Sequence, residues 1–213
     1  MNRRQLAALL LVPALTLTAC GGEDDSGGGS TTQSPAAGAP SGAQGGGQQP
    51  GTEGGGGVTR VGDDGLFMAG AHVAHDCQIG NRVILVNNAS VAGHCILEDD
   101  VIVGGLSGVH QFVRIGRGAM IGAVTMVTAD VIPYGLVQGP RGHLDGLNVV
   151  GLRRHGATRD DIHALRDMLH KLGEGSFRDT ARHMAEQEHG GRVRDVLDFI
   201  LGPSDRSFLA PHQ

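Results

Sequence analysis

Twelve six-residue units follow one another without a slip in register over residues 61–132. Their first residues are Val61, Phe67, Val73, Ile79, Leu85, Val91, Leu97, Val103, Val109, Ile115, Ile121 and Val127, all bulky and apolar. Their fifth residues, from Gly65, Ala71 and Cys77 to Thr125 and Val131, are small or β-branched. A large aliphatic followed four residues later by a small side chain, every six residues, is the pattern of a hexapeptide β-helix. Each unit makes one flat side of a triangular coil, and each coil buries the inward side chains of the next. Three units close one coil, so twelve predict four coils stacked at the strand spacing of about 4.8 Å. The expected fold class is all-β solenoid plus α: a left-handed hexapeptide β-helix over 51–135, a connecting loop over 136–157 and a C-terminal helical region over 158–213.

After Pro133 the six-residue period stops and a helical one takes over. Thr158-Arg159-Asp160-Asp161 has the form of an N-terminal cap. Behind it Ile162, Leu165, Met168, Leu169 and Leu172 recur at helical spacing. A second helix is expected over 177 to about 188. A third is expected over 193–201, with Val196, Leu197, Ile200 and Leu201 on one face and Gly202-Pro203 ending it. These stripes predict packing surfaces rather than cofactor sites. The chain has no Trp and a single Tyr, as an aliphatic solenoid core requires.

The first fifty residues lack either period. Arg3 and Arg4 precede an apolar run over 6–17, too short to span a bilayer comfortably, which reads as a targeting segment over 1–20. It ends Leu17-Thr18-Ala19-Cys20-Gly21, which resembles the lipobox of bacterial lipoproteins and makes Cys20 the candidate lipidation site. The alternative is a chance Cys behind an ordinary signal. Residues 21–50, rich in Gly, Ser, Gln, Pro and Ala, are expected to form a flexible linker.

An eighteen-residue coil turns sequence separation into contact. His75, Gly93 and Gln111 fall in one column, Asp76 and His94 in the next, and His110 on the other side. None occupies a first or fifth position, so the core does not need them. Imidazole suits proton abstraction near neutral pH. An adjacent carboxylate fixes its tautomer and stabilises the imidazolium. A glycine leaves a backbone N–H approachable by an oxyanion. Together they point to acyl transfer to a hydroxyl. Zinc binding by three His is the competing reading, but the pair of His five residues apart found in γ-class carbonic anhydrases has no counterpart, so no metal is expected. Cys77 and Cys95, one coil apart, are close enough for a disulfide but read equally as small core residues, and the core reading is preferred. A net charge of −5, with no basic run longer than a pair, argues against nucleic acid as a partner.

The segment "TRVGDDGLFMAGAHVAHDCQIGNRVILVNNASVAGHCILEDDVIVGGLSGVHQF", preceded by Gly51-Thr52 and Gly55-Gly56-Gly57 and followed by "IPYGLVQG" and "GLNVVGLRRHG", closely resembles the UDP-N-acetylglucosamine O-acyltransferases of lipid A biosynthesis. The resemblance implies a cytoplasmic homotrimer with its active site in the cleft between neighbouring β-helices. Its donor would be an acyl carrier protein thioester, with no other cofactor, and its acceptor UDP-N-acetylglucosamine. It implies His75 as general base, Asp76 as its orienting partner and Gly93 as the oxyanion N–H. It places His72, His94, His110 and Gln111 at substrate contacts, and Asn148 and Arg154 on the nucleotide side. Met120 and Ala123 fall where the family measures the acyl chain. An Ala where Gly is frequent is expected to shorten the preferred chain.

Several positions depart from the family pattern. Val150 stands in place of an acidic residue, His155 in place of a second Arg, and Arg141 in place of a His. The family's N-terminal coils are not found ahead of Gly51, where the signal and linker stand instead, so the coil near Val61 is expected to present an open, partly apolar end. Weak or no turnover by the chain alone is the corresponding expectation. Two functional readings follow: an acyl-carrier-protein-dependent O-acyltransferase, and a catalytically silent, lipid-anchored scaffold. Localisation divides likewise, membrane-anchored through Cys20 or cytoplasmic if residues 1–50 come from a misassigned start.

Overall fold

The structure, a computed structural model, describes residues 56–204 and 206–211. The signal segment with Cys20, the linker, and Gly51, Thr52 and Gly55 lie outside the described residues.

Twelve two-residue strands form three flat faces. The first face holds β1 (Arg60–Val61), β4 (Gln78–Ile79), β7 (Ile96–Leu97) and β10 (Arg114–Ile115). The second holds β2 (Leu66–Phe67), β5 (Ile84–Leu85), β8 (Ile102–Val103) and β11 (Met120–Ile121). The third holds β3 (His72–Val73), β6 (Ser90–Val91), β9 (Gly108–Val109) and β12 (Met126–Val127). Every pair among them is parallel, and the register steps by one coil, Arg60 opposite Gln78 and His72 opposite Ser90. This is the four-coil left-handed β-helix that the repeat predicts, followed by helices.

The second residue of each strand points inward. From Ile79 to Val127 these residues are buried, and they pack on the fifth-position Cys77, Val83, Ala89, Cys95, Val101, Val113 and Ala119. The first coil is the exception. Val61, Leu66 and Phe67 are 51%, 49% and 40% exposed. Cys77 and Cys95 are buried free thiols, each 3.1 Å from a backbone carbonyl, that of Ala92 and that of His110.

Sharp corners join the faces, and the fourth residue of every six but the last makes them with left-handed backbone. Asp64, Gly70, Asp76, Arg82, Asn88, His94, Asp100, Leu106, Phe112, Gly118 and Val124 all have positive φ. Gly, Asn and Asp adopt this conformation at little cost, whereas bulky or β-branched side chains strain it. Leu106 and Val124 are therefore both strained and, at 66% and 59%, exposed.

The solenoid is closed at its far end by the chain itself. β13 (Gly135–Gln138) pairs with β11 and turns back antiparallel into β14 (His143–Leu147), and Asn148 then caps α1 (Val149–Arg154). Residues 136–157 thus hold a hairpin and a helix where the sequence suggested only a connection. Elements of four to six residues are too short to show a period. Three helices follow: α2 (Arg159–Gly173), α3 (Phe177–Ala185) and α4 (Gly191–Leu201). The Thr158 side chain accepts from the Asp161 N–H and the Asp161 carboxylate from the Thr158 N–H, the reciprocal cap the sequence suggested. Leu201, expected on the buried stripe, is 37% exposed; Phe199 is buried instead, its ring 4.5 Å beneath the Arg114 guanidinium.

Asp130 ties the tail to the last coil. Fully buried, it accepts from the Arg114 N–H at 2.9 Å, from Arg114 Nε at 2.8 Å and from the Ser204 hydroxyl at 3.1 Å. Its backbone carbonyl accepts from the Leu209 N–H at 2.9 Å. No helix among the described residues is long and apolar enough to cross a membrane.

Candidate functional site

Turns 74–77, 92–95 and 110–113 carry the chain from the third face to the first, one above another. They bring His75, Asp76, Gly93, His94, His110 and Gln111 together, with His72 beside them on β3. The backbone that makes the corner also aims the chemistry, because Asp76 and His94 are themselves left-handed corner residues.

His75 and Asp76 form the centre. Nδ1 of His75 lies 2.8 Å from Asp76 Oδ2, and the other carboxylate oxygen accepts from the Gly57 N–H at 2.5 Å. The hydrogen bond from His75, helped by the Gly57 N–H and by His94 nearby, holds the Asp76 carboxyl below the usual carboxylate range against the opposing effect of burial. An ionised carboxylate on Nδ1 assigns the proton to that nitrogen and leaves Nε2 with a free lone pair. The His75 side chain is 72% exposed and Asp76 only 16%, so the base is accessible while its orienting partner is sheltered.

The His75 ring lies over Gly93. A Cβ at residue 93 would stand 2.8 Å from both Cε1 and Nε2 of that ring. Among the described residues the Gly93 N–H donates to no other group. Equivalent N–H groups at another corner, those of Asp63 and Asn81, are taken by the side chains of Asn81 and Asp99.

His94 packs between two rings, edge-on to His75 with centroids 5.0 Å apart and stacked on Phe112 at 4.7 Å. Its Nε2 is 3.9 Å from Asp76. Nδ1 of His110 is 3.1 Å from the Gln111 carbonyl, an N–H donating to it, which leaves Nε2 outward. Beside these residues an open groove of about 540 Å³ runs along the third face, lined by His72, Ala74, Ser90, Ala92, Gly108 and Met126 among others.

His75, Asp76 and His94 also form a group able to hold a cation, with ligand atoms all within 4.8 Å of one another. The carboxylate, however, already serves two donors, and a metal on Nδ1 of His75 would displace the hydrogen bond that orients the ring. The donor set suits a proton better than an ion.

The other candidate residues lie elsewhere in the chain. Met120 is on the second face and Ala123 at the corner between the second and third. Asn148 is at the far corner, its amide accepting from the Gly151 N–H at 2.9 Å and donating to the Gly118 carbonyl at 3.0 Å. Arg154 is exposed at the end of α1. One chain does not bring these four to His75. Conversely, Gly57, Phe112, Ser90, Gly108 and Met126 belong to the neighbourhood and were not singled out from sequence. The eighteen-residue step reaches all five, since Gly57 stands one coil below His75 and Phe112 one above His94.

Residues 130–209 match the family described as UDP N-acetylglucosamine O-acyltransferase, Domain 2. An acyl-[acyl-carrier-protein]–UDP-N-acetylglucosamine O-acyltransferase of Paracoccus denitrificans is 88% identical over 156 residues, 73% of this chain and 60% of its own length. The enzyme of the same name from Agrobacterium fabrum is 45% identical over 74% of this chain and 59% of its own. The chain thus spans about 60% of the length of these relatives. Among solved structures, the UDP-N-acetylglucosamine O-acyltransferase of Moraxella catarrhalis superposes with a TM-score of 0.68 at 34% identity, over 75% of this chain and 63% of that one. The Campylobacter jejuni UDP-N-acetylglucosamine acyltransferase gives 0.65 at 35% identity, over 71% and 59%.

Proposed function

We propose that the chain, as a member of the UDP-N-acetylglucosamine O-acyltransferase family, transfers an acyl chain from an acyl carrier protein thioester to the glucosamine 3-hydroxyl of UDP-N-acetylglucosamine, a step of lipid A biosynthesis. The observation that carries this reading is the His75 ring, held by Asp76 through Nδ1 and lying over Gly93 with Nε2 free. Nε2 takes the proton of the sugar hydroxyl as its oxygen attacks the thioester carbonyl carbon. Asp76 stabilises the imidazolium that forms. The Gly93 N–H donates to the oxyanion of the tetrahedral intermediate. The C–S bond then breaks, the carbonyl re-forms, and the imidazolium returns its proton to the departing sulfur. His72, His94, His110 and Gln111 surround the base as substrate contacts.

Assembly as a homotrimer completes the set. Met120, Ala123, Asn148 and Arg154 lie away from His75, on the second face, at other corners and on α1, and a cleft between neighbouring β-helices would bring one chain's residues against another's. Exposed Leu106 and Val124, stacked on one corner, supply apolar surface for such a contact. Lipidation at Cys20 is proposed only for the alternative reading, the lipid-anchored scaffold, because a lipidated chain lies across the membrane from acyl carrier protein. Intact mass of the chain and of Cys20→Ser from membranes tests it, and equal modification of both rejects it.

The activity is tested on the full chain with acyl-acyl carrier protein and UDP-N-acetylglucosamine, following the acylated sugar nucleotide. His75→Ala is expected to reduce turnover by about 10²- to 10⁴-fold, and a chelator to leave it unchanged. Because weak or no turnover is expected of the chain alone, the same comparison is made with a relative's N-terminal coils fused ahead of Gly51; undiminished activity in His75→Ala, or a trimeric fusion that gives no product, rejects the reading.

A further inference from the structure

The buried Cys77 thiol makes a bond that core packing does not require. Its Sγ donates to the Ala92 carbonyl at 3.1 Å, whereas Val83, Val101 and Val113 fill equivalent inward positions without any donor. The bond links two turns of the candidate site. Cys77 ends the turn that carries His75 and Asp76, and Ala92 opens the turn that carries Gly93. The Ala92 carbonyl and the Gly93 N–H belong to one peptide unit. In a trans peptide the C=O and N–H point in opposite directions. A carbonyl held toward a fully buried thiol therefore turns the Gly93 N–H away from the core, and the His75 ring lies over the same residue.

The same bond recurs along the column. Thr59 Oγ1 donates to the Ala74 carbonyl at 2.9 Å, and Cys95 Sγ to the His110 carbonyl at 3.1 Å. The peptide units that lead into His75, Gly93 and Gln111 are thus all held from the core side. Ser107 makes such a bond to the Gly122 carbonyl at 2.7 Å on another corner, so the bridge is open to any coil. What sets the column of Thr59, Cys77 and Cys95 apart is that it stands behind the three site turns. The Cys95 side chain favours a thiolate at Cys77, but burial and a carbonyl oxygen at 3.1 Å outweigh it and keep the thiol. A carbonyl that accepts a hydrogen bond also polarises its own peptide, which strengthens the N–H as a donor.

We infer that Cys77 is a positioning residue: its thiol fixes the plane of the Ala92–Gly93 peptide and so aims the Gly93 N–H at the oxyanion. The inference rests on the proposed acyl transfer, in which that N–H stabilises the tetrahedral intermediate. Cys77 touches no substrate and acts through Gly93. A restraint is needed there because glycine, lacking a Cβ, lets the peptide before it rotate at little cost. The thiol supplies that restraint from inside the coil, where a small, weakly polar donor is buried cheaply.

The test compares Cys77→Val, which fills the site without a donor, with Cys77→Ser, which keeps one. Should Cys77→Val not fold by circular dichroism, Cys77→Ala replaces it, since Ala89 and Ala119 occupy equivalent inward positions. NMR of the full chain, labelled with 13C at Ala carbonyls and 15N at Gly amides, reads the Ala92–Gly93 peptide without requiring turnover. Its signal is expected to move in Cys77→Val and to return toward its original place in Cys77→Ser. Turnover is followed in the fusion that carries a relative's N-terminal coils. There Cys77→Val is expected to lower kcat about tenfold, less than the 10²- to 10³-fold cost of losing an oxyanion donor outright. KM for UDP-N-acetylglucosamine and the pH midpoint of kcat should stay in place, because the base is untouched, and Cys77→Ser should restore most of the rate. If the fusion gives no product, the proposed reaction fails and the NMR comparison alone decides whether Cys77 holds the peptide. An unmoved signal or an unchanged kcat in Cys77→Val, or a Cys77→Ser loss equal to that of Cys77→Val, overturns the inference.

Discussion

The His75 imidazole stands over Gly93 so closely that a methyl group there would lie 2.8 Å from Nε2. Gly93→Ala therefore cannot leave the base where it is. Because His75 is largely exposed, the ring is expected to swing away rather than the coil to distort. Thermal unfolding should stay within about 0.5 kcal/mol of the unaltered protein, as for a surface change, while turnover falls by about 100-fold, the cost of a displacement near 1 Å. Unchanged turnover in Gly93→Ala would show that the ring position does not matter.

The Asp76 carboxyl is expected to titrate below the ordinary value of about 3.9, because its ionised form accepts from His75 and Gly57. A folded value below the unfolded one means that Asp76 favours the folded state above the unfolded pKa and loses that contribution as pH falls through the folded value. Carboxyl-detected NMR follows the midpoint directly. His75→Ala, which removes the largest cause, should raise it, and an unmoved midpoint would assign the depression elsewhere.

Asp130 and Arg114 are a buried pair, with the Phe199 carbonyl accepting from Arg114 at 3.3 Å and Arg206 Nε 3.7 Å from the carboxylate. Asp130→Ala removes the partner of Arg114 Nε and of the Ser204 hydroxyl. A destabilisation of about 3–5 kcal/mol is expected, as for other buried pairs that lose one partner. Denaturant titration measures it, and a loss below 1 kcal/mol would mean that water replaces the carboxylate.

Leu106 and Val124 present apolar side chains from strained corners on adjacent coils. Leu106→Asp with Val124→Asp is expected to dissociate the proposed trimer, seen by light scattering, while circular dichroism keeps the solenoid signature. Retention of the trimer would place its contact on another corner.

The six-residue period by itself determined the coil number, the three faces, the inward side chains and the stacking of His75, Gly93 and Gln111. A solenoid is periodic, so a fixed step in sequence is a fixed step in space. Tertiary structure decided what the period does not encode. It decided that Gly57, rather than another side chain, completes the hydrogen bonding of Asp76, because the coil step acts on Cα positions while a hydrogen bond depends on where an N–H points. It decided that the Cys77 thiol meets the Ala92 carbonyl, since a side chain takes its direction from the space around it. It also decided that residues 136–157 form a hairpin and helix and that Ser204 reaches Asp130. There the repeat has ended, and contacts across scores of residues are set by packing against the last coil, which no local pattern records.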